Sequence, residues 1–230
     1  MPTRYFTRAV FEFLEELALN NNQPWWEENK ERYIKHIREP ALDFVTDFGA
    51  RLEEISPHFV ADARVSGGSL MRPYRDMRFV KGEPYKENVG IHFRHEQGRD
   101  VHAPGFYLHI EPGQNFAGVG LWSPETKVAR AIRQLINDDP DAWGKAAHSD
   151  SFTATWEIGN HAEDRLKRVP KELDPDHPYP EDLRLKSFTA GARLTQKTVT
   201  SADFADELLT MYSSAGSYAR FLCTAIGVPF

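Results

Sequence analysis

The sequence predicts an α+β fold: a central, mainly antiparallel sheet flanked by N-terminal, middle and C-terminal helices. Three observations carry this. Apolar residues in the first quarter recur every three to four positions, as the buried face of a helix requires. Between residues 69 and 122 the period falls to two, the signature of half-buried strands. The segments of period two are joined by short connections, which suit an antiparallel meander of about four strands rather than parallel crossovers. One or two later strands complete the sheet. No internal repeat, low-complexity tract or linker divides the 230 residues, so the expectation is a single α+β domain over residues 1–230.

Each element has its own justification. Phe6, Val10, Phe13, Leu14 and Leu17 form one helical stripe, with Thr7 placed to cap its start and Asn20-Asn21-Asn22 to end it. Pro24 suits a first helical turn, and Trp26, Tyr33, Ile34 and Ile37 continue the pattern until Pro40 interrupts it. Ala41, Phe44, Val45, Phe48, Leu52 and Ile55 then resume it, as a second helix or a kinked continuation. Strands are expected at Ser69 to Val80, Asn88 to Glu96, Gly105 to Glu111 and Phe116 to Trp122, punctuated by glycine and proline. Ser123-Pro124 opens a helix with Val128, Ile132, Leu135 and Ile136 on its core face, and Asp141 to His148 adds a short one. Phe152 to Ile158 and Leu185 to Ala192 read as later strands. Pro170, Pro175, Pro178 and Pro180 make Leu166 to Asp182 an ordered surface loop. Val199 and Phe204 staple the start of a helix at Thr200 to Asp203, and a second stripe of Tyr218, Phe221, Leu222 and Ala225 ends before Gly227.

Composition narrows the function classes. The chain is 40% hydrophobic and 27% charged, with a net charge of −6, which argues against a general nucleic-acid or membrane-surface binder. The charge is uneven, however. Residues 1–62 carry seven Lys and Arg against twelve Asp and Glu, whereas residues 64–94 carry seven against three, so an electropositive centre sits inside an acidic protein. Cys223 is the only cysteine, and its place on the apolar side of a terminal helix suits packing. Apolar runs of membrane-spanning length and the apolar core of a signal peptide are both missing, so a cytoplasmic location is expected.

The densest chemistry lies in Ser69 to Val80, which crowds Arg72, Arg75, Asp76 and Arg78 into a predicted strand. Alternation puts Arg72, Tyr74, Asp76 and Arg78 on one face. Buried arginines need carboxylates or a bound anion, because an unpaired buried charge costs several kcal/mol. If the strands are neighbours, Arg72, Arg75, Arg78, Lys86 and Arg94 converge as ligand-binding residues on phosphate or carboxylate. Asp76, Glu96 and Glu111 provide the alternative of an internal salt-bridge network. His92, Arg94 and Glu96 alternate on one strand and Tyr107, His109 and Glu111 on the next. A histidine beside a carboxylate suits a general base, so Asp76, His92, His109 and Tyr107 are the candidate catalytic residues. No metal motif of fixed spacing and no glycine-rich phosphate loop is present, so no metal ligand or cofactor is assigned. Trp25, Trp26 and Trp122 read as core anchors.

Several motifs then occur in order: Arg72-x-x-Arg75-Asp76-x-Arg78-Phe79, Pro84-Tyr85-Lys86, Gly105 to Pro112, Gly120-Leu121-Trp122-x-Pro124, Leu166-Lys167-Arg168-x-Pro170-Lys171 and Asp176-His177-Pro178. With Trp25-Trp26-x-x-Asn29-Lys30 and Phe221-Leu222-Cys223, this pattern resembles the bacterial and fungal family called domain of unknown function 2461, over nearly the whole chain. One departure is the turn Lys81-Gly82-Glu83, which is shorter than the family pattern and lacks its Asp/Asn-Lys pair. The resemblance implies no activity that transfers. The functional expectation rests on the residues themselves: a basic pocket for a small anionic ligand, such as a phosphorylated metabolite, nucleotide or carboxylate, with acid/base catalysis available. The alternatives are a non-catalytic interaction protein with the arginines as a scaffold, and a metal-dependent hydrolase. Oligomeric state is left open.

Overall fold

The computed structural model describes residues 3–76, 78, 82–98, 104–159 and 165–230. Its architecture is α+β, with one antiparallel sheet of six strands. The N-terminal helices are α1 (Arg8–Leu19), α2 (Gln23–Tyr33) and α3 (Glu39–Ile55), the last two joined by a π-helical turn, Ile34–Arg38. The strands are β1 (Phe59–Val60), β2 (Val89–His95), β3 (Gly105–Ile110), β4 (Phe116–Leu121), β5 (Glu157–Ile158) and β6 (Phe188–Arg193), in the order β1-β2-β3-β4-β6-β5. Between β4 and β5 run α4 (Thr126–Asp138), α5 (Pro140–Ala147) and the single turn α6 (Asp150–Thr153). After β6 come α7 (Gln196–Val199), α8 (Phe204–Ser214) and α9 (Gly216–Ile226). No helix of the described residues is long and apolar enough to cross a membrane.

Alternation along the strands sorts the sheet into two unlike faces. Ile91, Phe93, Phe106, Leu108, Ile110, Ala117, Val119, Leu121 and Phe188 are fully or almost fully buried on one face. Phe93 packs on Phe48 of α3 at 5.2 Å, Phe106 on Tyr212 of α8 at 4.8 Å, and Phe44 stacks on Phe204 at 5.7 Å. This aromatic layer joins the N-terminal and C-terminal helices through the sheet, and each such side chain contributes about 1.5–3 kcal/mol by leaving water. The other face carries Asn88, Gly90, His92, Arg94, Tyr107, His109, Glu111, Phe116, Gly118, Gly191 and Arg193. Its strands are held by the same ladders, so the polar face is positioned by the rigidity of the apolar one.

The predicted strand from Ser69 to Val80 does not form. Leu70 makes an isolated bridge to Ile91, and Tyr74 one to Tyr85; Met77, Phe79, Val80 and Lys81 lie outside the described residues. Pro73 has no N–H for a ladder, and the chain leaves the edge of β2 there to pair with residues 84–86 instead: Arg75 N–H donates to Pro84 O (2.9 Å) and Lys86 N–H to Pro73 O (2.7 Å). The edge of β2 is shared by Leu70 and by β1, a two-residue strand too short to give a periodic signal. Phe152 to Ile158 is likewise a helical turn followed by β5 alone. Neither Thr7 nor Asp203 makes a side-chain cap; Asn22 caps α2 by accepting from Trp25 N–H at 3.1 Å.

Candidate functional site

Three side chains of β3 at alternate positions point to the polar face and touch one another in line. The Tyr107 hydroxyl lies 3.1 Å from His109 Nδ1, and His109 Nε2 lies 2.7 Å from Glu111 Oε2. Asn88, from the residue before β2, places its Nδ2 3.4 Å from the same His109 Nδ1. A carboxylate only accepts, so His109 donates Nε2–H to Glu111 and Nδ1 accepts from the phenol. Phe116, directly opposite on β4, stacks on the imidazole at 4.6 Å and fixes its plane. The outcome is a chain of hydrogen bonds running from phenol to imidazole to carboxylate, part-buried but not sealed. Burial first, and then the Glu111 charge, push the Tyr107 phenol up to about 12, against a hydrogen bond from Asn88 that lowers it. Tyr107 therefore holds its proton across the neutral range.

The glycines of β2 and β3 make room for these side chains. A Cβ on Gly90 would lie 2.8 Å from the Tyr107 hydroxyl and 2.9 Å from Met71 Sδ. On Gly105 it would meet the His92 imidazole. His92 is buried, accepts at Nδ1 from Arg94 Nε (3.3 Å), and meets the Tyr107 ring edge-on. Burial, with the neighbouring Arg94 charge, lowers its pKa to about 4, so the ring is neutral.

The predicted arginine cluster divides. Arg78 is exposed and pairs with Asp76 at 2.6 Å, which holds that carboxylate below its usual range. Asp76 makes no contact with His92, His109 or Tyr107 among the described residues. Arg75 donates from Nε to Tyr85 O at 2.9 Å and faces Glu87 at 3.7 Å, and Arg72 is exposed. Lys86 differs from these. Its half-buried ammonium has no carboxylate partner among the described residues, and burial together with Arg72 and Arg75 lowers its pKa. Lys86, Asn88 and Met71 also line a cavity of about 10 Å³, room for roughly one water, with Trp26, whose buried indole N–H has no partner among the described residues. Asn88 and Met71 thus connect Lys86 to Tyr107.

A family model described as a conserved hypothetical protein, DUF2461, matches residues 9–221. The chain belongs to DUF2461. No curated protein and no solved structure matches it. Of the motifs in this DUF2461 chain, the one from Gly105 to Pro112 is β3 with its relay, and Pro84-Tyr85-Lys86 is the segment carrying the unpaired ammonium. The motif Asp176-His177-Pro178 lies elsewhere: His177 is buried and donates from Nε2 to Ile136 O at 3.0 Å, pinning the proline loop on α4. Sequence reasoning passed over Asn88 and Gly90, although both fall on the alternate positions that lead to His92. It also took Trp122 for a core anchor, and the side chain is 50% exposed. Among the described residues no three His, Cys, Asp or Glu side chains are grouped to hold a metal ion.

Proposed function

We propose that the polar sheet face is an acid/base site for a small anionic substrate, in which Tyr107 exchanges a proton with the substrate and Lys86 holds the anionic group. The observation that carries this reading is the directed chain Tyr107–His109–Glu111. Its geometry is that of an acid oriented by an imidazole, itself oriented by a carboxylate, the arrangement that general acid/base catalysis requires. A proton lost from Tyr107 passes to His109 Nδ1, and Glu111 stabilises the imidazolium formed. Asn88 supplies a hydrogen bond to the phenolate left behind. Lys86, with Arg72 and Arg75 beside it, is the group that gains most from an arriving anion, since its own burial is uncompensated by any carboxylate. Arg94 keeps His92 as a neutral wall beside the phenol.

A thermal-shift screen against small carboxylates and phosphates, followed by incubation of each hit in D₂O, tests the reading. Bound compounds should acquire deuterium at the carbon that exchanges its proton. Tyr107→Phe and Glu111→Gln should lose exchange while keeping binding, and Lys86→Met should weaken binding about tenfold or more, equivalent to about 1.4 kcal/mol. If no anion binds, or if exchange continues unchanged in Tyr107→Phe, the proposal fails.

A further inference from the structure

Beyond Tyr107 the polar face is bare. Tyr107 stands opposite Gly118 on β4, Gly118 opposite Gly191 on β6, and Gly191 opposite Glu157 on β5. Strands are spaced about 4.8 Å apart, so about 14 Å separates the Tyr107 and Glu157 backbones with only two glycines between them. One flank of this strip is closed by the opposed pair Phe116 and Arg193, the other by Gly120 and Thr189. Gly191 is half-exposed. Arg193 is exposed and makes no ion pair among the described residues.

The protein's own packing does not account for Gly118. Gly90 and Gly105 yield space to Tyr107 and His92, and Gly120 has a φ of +126° that other residues rarely adopt. Gly118 has no such φ, and a Cβ there would make only ordinary contacts, at 3.5 and 3.7 Å to Tyr107 and 3.8 Å to Ala190 O. Glycine within a strand is less stable than alanine by roughly 0.5–1 kcal/mol, and it marks places where a ligand approaches the backbone. Resting on the acid/base reading of Tyr107, we propose that the opposed pair Gly118 and Gly191 is the floor on which the flat ring of a ring-bearing anion lies. The substrate class is thereby an aromatic or heteroaromatic carboxylate or phosphate. Its ring rests on bare peptide planes between Phe116 and Tyr107, and Arg193 at the flank reads a polar substituent.

The test compares benzoate and nicotinate with acetate and inorganic phosphate, by calorimetric titration of the intact protein and of Gly118→Ala and Gly191→Val. Wild type should bind the ring compounds at least about tenfold tighter than acetate. Gly118→Ala should melt higher than wild type yet lose part of that preference, and Gly191→Val should lose all of it while still binding acetate. A circular-dichroism melt confirms that each variant folds. Equal affinity for benzoate and acetate in wild type, or an undiminished ring preference in Gly191→Val, would overturn the floor and leave the anion site standing. Binding of none of the four compounds would overturn the acid/base reading on which it rests.

Discussion

At the residue scale, the unusual groups are those that burial forces into one protonation state. His92 is the sharpest case. Its folded pKa of about 4 lies below the ordinary histidine value, so the unfolded chain binds the extra proton first. The stability this gives is fully present above about pH 6.5 and is lost as the pH falls through 4, at most about 3 kcal/mol. Equilibrium denaturation between pH 7 and 4 should therefore show stability falling, and His92→Gln should flatten the curve; an equal slope in both proteins would refute the assignment. Cys223, pushed up to about 12 by burial, should resist thiol reagents in the native state. The chemistry of Tyr107, His109 and Glu111 was legible in the sequence because alternation on a strand fixes which side chains share a face. That Asp76 would pair locally with Arg78 was not legible, because the pairing follows from Pro73 diverting the chain, and single-residue patterns do not report where an edge is vacated.

At the element scale, the segment carrying Lys86 is held by a loop far away in sequence. Asn21, between α1 and α2, donates from Nδ2 to Tyr85 O (3.0 Å) and Glu87 Oε1 (2.8 Å), and its Oδ1 accepts from Tyr85 N–H (3.1 Å). Trp26 stacks on Tyr85 at 4.2 Å above it. Asn21→Ala leaves the Tyr85 amide without its partner and should cost about 1–3 kcal/mol. Urea denaturation would read that loss, and hydrogen exchange should speed first at Tyr85; unchanged exchange there would show that the clamp holds nothing. The asparagine run was read from sequence as a helix stop, which it is, but its reach of 64 residues to Tyr85 depends on tertiary placement that no local pattern encodes. By contrast β2, β3, β4 and β6, with α1, α4, α5 and α9, follow periodicity that a long, half-buried element must show. The two-residue strands β1 and β5 are too short to show any.

At the scale of the whole molecule, the described buried residues form one continuous cluster from Phe6 through Phe93 and Phe106 to Tyr218. Unfolding should therefore be a single calorimetric transition whose van't Hoff and calorimetric enthalpies agree, and two resolved transitions would contradict a single domain. The α+β class was readable from the change of period alone, whereas the bare glycine strip was not, because a missing side chain leaves no periodic trace. The π turn Ile34–Arg38 bears on all of this through chain length. Its wider winding, closed by Glu39 N–H donating to Ile34 O, holds one residue more than an α-helix would at the same place. Losing a residue there would restore regular winding and rotate α3 by about 100° against α2. Phe44 and Phe48 would then swing off the sheet while Trp26 and Tyr33 stayed put. A one-residue deletion in this turn should thus be far more damaging than a point substitution at the same positions, which makes the helix junction intolerant of changes in length though not of changes in composition.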